Sequence, residues 1–194
     1  KDEITAEVYI AKCKEWIAAV RKVQPDAKFA AHSITAPWDK RQLAKWEDWN
    51  QSVLNALGKD LAYYAFHPYY RGHSPGYLKK YLDELRDFVK NSPNPDIKIF
   101  ISEHAKWPPN AEKGDAEWKK YWYQTHALTG CLDTAEWDIM SLSRPEIGMM
   151  TYHNICSGPW GFVYPDGNGK YFATGLGDLY RLFTSIPDNA EVVA

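Results

Sequence analysis

Four short runs of the chain are apolar at successive positions, and each is followed by sequence with helical spacing. They are residues 27–33 (Ala-Lys-Phe-Ala-Ala-His-Ser), 61–67 (Leu-Ala-Tyr-Tyr-Ala-Phe-His), 97–103 (Ile-Lys-Ile-Phe-Ile-Ser-Glu) and 147–153 (Ile-Gly-Met-Met-Thr-Tyr-His). The third is the clearest, with β-branched and aromatic residues following Pro95-Asp96. Short runs of this kind read as strands, and their apolar character on both faces suits a parallel sheet covered by helices.

The intervening segments predict helices. Thr5 is placed to cap a helix reaching about Val23, with Val8, Tyr9, Cys13, Trp16, Ile17 and Val20 on one stripe. Trp49, Val53, Leu54 and Leu57 mark a shorter helix closed by Gly58. Tyr77 to Val89 carries Leu78, Tyr81, Leu82, Leu85 and Phe88 at helical spacing. Further helices are expected over 116–132 and 176–184, and Pro165-Asp166-Gly167-Asn168-Gly169 reads as a turn.

The order is therefore α-βα-βα-βα-βα in a single domain. An eight-fold (β/α) barrel needs about 250 residues, so four strand–helix units in 194 residues amount to half of one. A four-stranded open α/β sheet fits the same alternation. It does not account for the polar cluster that ends every strand: His32-Ser33, His67-Pro68-Tyr69-Tyr70, Glu103-His104 and His153-Asn154. Active sites of α/β barrels lie at these C-terminal strand ends. Strand periodicity gives Glu103 the parity of Ile97, Ile99 and Ile101, which predicts isoleucines filling the barrel interior below it and Phe100 facing the helices. A structural alternative is a Glu103 that caps the following loop or pairs with Lys106.

Composition narrows the function. Hydrophobic (45%) and charged (25%) fractions are ordinary, whereas nine Trp and thirteen Tyr exceed what a core alone asks for and suit sugar stacking. A net charge of −2 without a basic patch argues against nucleic acid as a partner. No apolar run approaches the ~20 residues of a membrane span. The start, Lys1-Asp2-Glu3-Ile4, has neither a signal-peptide core nor an initiator Met, so the chain is expected to begin inside something larger or after processing. Cys13, Cys131 and Cys156 lack metal-ligand spacing; they allow at most one disulfide and otherwise read as buried free thiols, and no metal and no cofactor are expected. Nothing distinguishes a cytoplasmic from a secreted location.

Residues 99–107, Ile-Phe-Ile-Ser-Glu-His-Ala-Lys-Trp, resemble the seventh-strand nucleophile motif of retaining glycosidases, and of family 51 α-L-arabinofuranosidases in particular. Val23-Gln24-Pro25-Asp26, Trp49-Asn50 with Val53-Leu54, and the His67-Pro68-Tyr69 strand ending resemble that family's second half in the same order. The resemblance implies strands five to eight of the barrel, with Glu103 as nucleophile and Tyr69 hydrogen-bonding and orienting it. His67 would line the subsite floor. Trp107 and Trp160 would stack on sugar, and His32, His153 and Asn154 would reach its hydroxyls. The family's acid/base is the Glu of an Asn-Glu pair, which this chain lacks, so it is expected upstream of Lys1.

Two functions follow from this. One is a retaining hydrolase of plant polysaccharide carrying the nucleophile but not the acid/base; the other is a non-catalytic carbohydrate-binding or scaffolding half-barrel. Either would expose an open sheet edge, to be covered by the missing N-terminal half-barrel or by a second copy.

Overall fold

The computed structural model describes residues 4–37, 40–72, 74–156, 158–187 and 190. In chain order the elements are α1 (Ala6–Val23), β1 (Phe29–His32), α2 (Lys40–Leu57), β2 (Leu61–Phe66), β3 (Tyr69–Tyr70), α3 (Lys79–Lys90) and β4 (Lys98–Lys106). They continue with α4 (Asp115–Trp118), α5 (Tyr123–His126), α6 (Leu128–Leu142), β5 (Ile147–Tyr152), β6 (Val163–Pro165), β7 (Tyr171–Ala173) and α7 (Gly175–Phe183). The chain divides into two compact units. The first is Lys1–Pro68, Leu78–Ser102 and Glu146–Met150; the second is Tyr69–Tyr77, Glu103–Pro145 and Thr151–Ala194.

In the first unit β1, β2 and the start of β4 run parallel, with Ala30 opposite Tyr63 and Tyr64 opposite Ile99. Helix α1 begins where expected, the Thr5 hydroxyl accepting the Val8 N–H at 3.4 Å. Its apolar stripe is not covered: Ile17 alone of the helix is buried, and Trp16 is 72% exposed. Helix α2 starts nine residues before the expected Trp49. The sequence from 40 to 48 is mostly charged or polar, and of its described side chains only Trp46 reaches the core. Buried Asn50 hides the helical period; its amide donates to the Trp46 carbonyl (2.7 Å) and its carbonyl accepts the Tyr64 hydroxyl (2.6 Å). A buried amide so satisfied costs little.

These contacts settle which face of the sheet meets the helices. Tyr64 bonds to α2, and the Phe66 ring lies 5.9 Å from Trp46 on the same helix. Neighbours in register on parallel strands share a face, so Ile99 (opposite Tyr64) and Ile101 (opposite Phe66) point to the helices, where both are buried. Phe100 is on the other face, its ring 6.3 Å from Tyr63. The expectation that the isoleucines fill the barrel interior and Phe100 meets the helices is thus reversed.

The second unit holds the C-terminal part of β4, where β3 pairs Tyr69 with Ala105 and Tyr70 with Lys106. Counted along β4, Phe66 stands opposite Ile101 and Tyr69 opposite Ala105, so three residue steps on one side match four on the other. The extra residue falls where the alternation of burial in β4 lapses, at Ser102 and Glu103. Such an insertion re-aims the side chains that follow. Beyond it His104 is fully buried against Trp137 of α6, while Glu103 is left partly open.

The single helix expected over 116–132 is instead three pieces, α4, α5 and α6. Ala127 takes an extended conformation between α5 and α6. Gly130 lies so close to Thr125 that a Cβ would come within 2.2 Å of its carbonyl oxygen. Helix α6 runs ten residues past the expected end and buries Thr134, Trp137, Asp138 and Ser141. The turn at 166–169 joins the antiparallel pair β6–β7. There Asp166 accepts the N–H groups of Asn168 and Lys170, and these bonds hold its carboxyl below the usual range. All three cysteines are free, but Cys13 and Cys131 are only half-buried and Cys156 is exposed.

Candidate active site

In the second unit, one cluster gathers six of the sequence-predicted residues around the end of β4. Glu103 Oε2 lies 3.6 Å from Nδ1 of His153, with both side chains about one-third exposed (29% and 32%). His153 is brought there by β5, which continues alongside β4 through the His153 N–H to His104 carbonyl bond at 3.1 Å. Asn154 follows immediately, its Nδ2 3.4 Å from His153 Nε2.

Three aromatic rings complete the cluster. Tyr69 lies 5.2 Å from Trp107, 5.7 Å from Trp160 and 6.3 Å from His153. Trp107 and Trp160 are 5.4 Å apart, and His153 is 5.1 Å from Trp160. The rings are held by main-chain bonds. Trp160 Nε1 donates to the Lys106 carbonyl at 2.8 Å, and the Trp107 N–H donates to the Tyr70 carbonyl at 2.8 Å. Trp107 Nε1 is buried with no partner among the described residues. A platform of fixed, half-exposed rings offers flat apolar faces that suit the C–H surface of a sugar.

The hydrogen bond expected from Tyr69 to Glu103 is not formed among the described residues; the neighbour of Glu103 is His153. Lys106, the other partner considered for Glu103, is instead buried in an ion pair with Asp133 and donates to the Gly72 carbonyl at 2.8 Å. Its charge is consumed beneath the site. His32 and His67 belong to the first unit, where their rings meet edge to face at 4.5 Å. The His32 N–H donates to the Tyr9 hydroxyl at 2.8 Å, and burial pushes that phenol up to about 12.

Behind the cluster is a buried polar group that the sequence did not reveal. His104 Nε2 lies 3.3 Å from Asp138 Oδ1 and 3.4 Å from the Tyr180 hydroxyl. Burial pushes the His104 imidazole down to about 3, the Asp138 carboxyl up to about 7, and the Tyr180 phenol upward. Low dielectric disfavours each charged form, so His104 is neutral there. It is a core residue, and its place in a strand-end cluster in sequence does not make it a ligand. Among the described residues no group of three or more His, Cys, Asp or Glu could hold a metal ion, and no helix is long and apolar enough to cross a membrane.

The backbone matches solved structures of carbohydrate-active enzymes. The family 51 α-L-arabinofuranosidase AbfB of Bifidobacterium longum superposes with a TM-score of 0.73 over 94% of this chain and 42% of its own, at 11% identity. The thermostable GH51 α-L-arabinofuranosidase of Thermotoga petrophila RKU-1 gives 0.71 over 94% of this chain and 36% of its own, at 15% identity. In fold the chain matches part of the (β/α)8 barrel of these enzymes. BuGH86, solved in complex with neoagarooctaose, also matches, with a TM-score of 0.68 over 93% of this chain and 30% of its own, at 14% identity. The chain thus spans between about three-tenths and two-fifths of the length of the structures first matched, from 30% to 42%. No family model matches it, and no curated protein matches it in sequence.

The residues missed by sequence reasoning are the supports. Asp133 and Tyr77 fix the loop after Tyr70, and Arg71 lies over the Trp107 ring at 5.2 Å. None has a periodic or motif signal, since each depends on a partner distant in the chain.

Proposed function

We propose that the chain carries the nucleophile half of a retaining glycosidase site, acting on arabinofuranosyl-type linkages of plant polysaccharide. The observation that supports this most is Glu103 itself: a partly open carboxylate in the C-terminal part of β4, beside His153, whose ring packs among the aromatic cluster. A glycan stacked on Trp107 and Trp160 would bring an anomeric carbon toward Glu103. One carboxylate oxygen forms the bond to that carbon while the glycosidic C–O bond breaks, and the leaving oxygen takes a proton from an acid. Water then cleaves the glycosyl ester, giving up its proton to the same group acting as base.

The acid must lie about 5–5.5 Å from the nucleophile. Among the described residues His153 is the ionisable group paired with Glu103, and we place the acid/base on a segment outside this chain. The Nδ1 of His153 would hold Glu103 in line, and Tyr69 would act by packing against His153 and both Trp rings. Asn154 is next to His153 and would reach sugar hydroxyls. The open edge of β1 and the uncovered stripe of α1 would be covered by the remaining barrel strands or by a second copy.

A second reading, a carbohydrate-binding module without turnover, draws on the same aromatic platform. Hydrolysis of an activated aryl α-L-arabinofuranoside separates the two, because a good leaving group needs little help from an acid. Turnover lost in Glu103→Gln supports the hydrolase; glycan binding with no turnover supports the module.

A further inference from the structure

Arg71 is exposed, yet the backbone around it is fixed. Its N–H donates to the Tyr77 hydroxyl at 3.2 Å, and that hydroxyl donates to the Tyr69 carbonyl at 3.4 Å. The Tyr70 carbonyl accepts the Trp107 N–H at 2.8 Å, and the Gly72 carbonyl accepts the buried Lys106 ammonium at 2.8 Å. Lys106 is in turn locked by Asp133, both residues being at most 5% exposed. The main chain before, at and after Arg71 is thus tied at four successive residues.

The side chain is positioned too. Its guanidinium lies over the Trp107 ring, 5.2 Å from the centroid, a favourable cation–π arrangement. Among the described residues no carboxylate pairs with it, and its N–H fork is uncommitted. An ordinary surface arginine samples many rotamers. This one is stacked on the ring that the glycan reading assigns to sugar, with five donors left for a planar or tetrahedral anion.

We infer that Arg71 forms a subsite for an anionic substituent of the glycan, a carboxylate or a sulfate ester, beside the sugar stacked on Trp107. This rests on the reading of the cluster as a glycan site and narrows it to acidic polysaccharide. The fork binds two oxygens of the anion, while the ring beneath keeps the guanidinium from folding away. Lysine would supply the charge without the fork or the flat stacking surface.

The test is calorimetric titration of the 194-residue chain with three xylo-oligosaccharides of equal length, bearing arabinofuranosyl, glucuronyl or sulfate groups. The glucuronyl or the sulfated ligand should bind about tenfold tighter than the neutral one, a preference weakened by salt. Arg71→Gln should abolish that preference, the acidic ligands losing about tenfold more affinity than the neutral one, and Arg71→Lys should restore only part of it. The stronger of the two acidic ligands identifies the anion. Equal binding of neutral and acidic ligands, or a preference that survives Arg71→Gln, would overturn the Arg71 subsite and leave the glycan site standing. Failure of all three ligands to bind would overturn both.

Discussion

The imidazole Nδ1 of His153 stands 3.6 Å from Oε2 of Glu103, and no other charged side chain is paired with that carboxylate among the described residues. The contact joins the end of β5 to the end of β4, so the orientation of Glu103 depends on a strand more than forty residues away. Removing the imidazole should free the carboxylate without disturbing the core. His153→Ala is expected to lower turnover of an aryl arabinofuranoside about tenfold, the effect of one lost polar contact of ~1–1.5 kcal/mol. The melting temperature should change little. Steady-state kinetics and a thermal melt on the same sample check both halves.

Trp160 offers a finer probe, because its ring and its N–H do different things. Trp160→Phe keeps an aromatic face but leaves the Lys106 carbonyl without the indole donor it now accepts at 2.8 Å. Trp160→Ala removes the face as well. Glycan affinity should fall a few-fold for Phe and about tenfold or more for Ala, since ring stacking contributes ~0.5–1.5 kcal/mol beyond area burial. Equal losses in the two variants would mean that the N–H bond, not the face, matters.

The Lys106–Asp133 pair is buried and holds the loop under Arg71. Breaking one partner leaves the other charge uncompensated, so Lys106→Met alone or Asp133→Leu alone should each cost about 3–5 kcal/mol. The double variant should be less harmful than their sum. Urea unfolding of all four proteins gives the coupling energy directly.

How much of this was legible beforehand differs by feature. The alternation of strands and helices, the Thr5 cap and the strand-end cluster of Glu103, Tyr69, His153 and Asn154 follow from local pattern, and Trp107 and Trp160 join it through the family resemblance. The orientation of Glu103 does not. Period-two parity runs from Ile101 to Glu103 only without the extra residue in β4, which no Gly or Pro marks. The pattern starts helix α2 late because residues 40–48 are mostly charged or polar, and ends α6 early because its buried face is built from Thr134, Asp138 and Ser141. Lys106–Asp133 and Arg71–Trp107 are pairings across distant segments, which leave no trace in composition or spacing.

His104 and Asp138 give a pH prediction. A carboxyl raised to about 7 contributes stability that is present below its ordinary value of 3.8 and lost as pH rises through 7. An imidazole lowered to about 3 from 6.5 does the opposite: stability rises as pH climbs through that window. The two slopes oppose each other, so this pair should leave wild-type stability nearly flat from about pH 4 to 6.5. Asp138→Asn isolates His104, and its stability should rise with pH over that range. His104→Phe isolates Asp138, and its stability should fall from about pH 4 to 7. Urea midpoints against pH would show slopes of opposite sign; matching slopes would contradict the assignment.

The account turns on Glu103 as a nucleophile, and covalent trapping tests that most directly. A 2-fluoro arabinofuranosyl donor with an activated leaving group slows hydrolysis of the ester more than its formation. Mass spectrometry of the digested protein should find one added fluoro-sugar on the peptide containing Glu103, and none in Glu103→Gln. An unmodified Glu103 peptide, or a label on another residue, would contradict it.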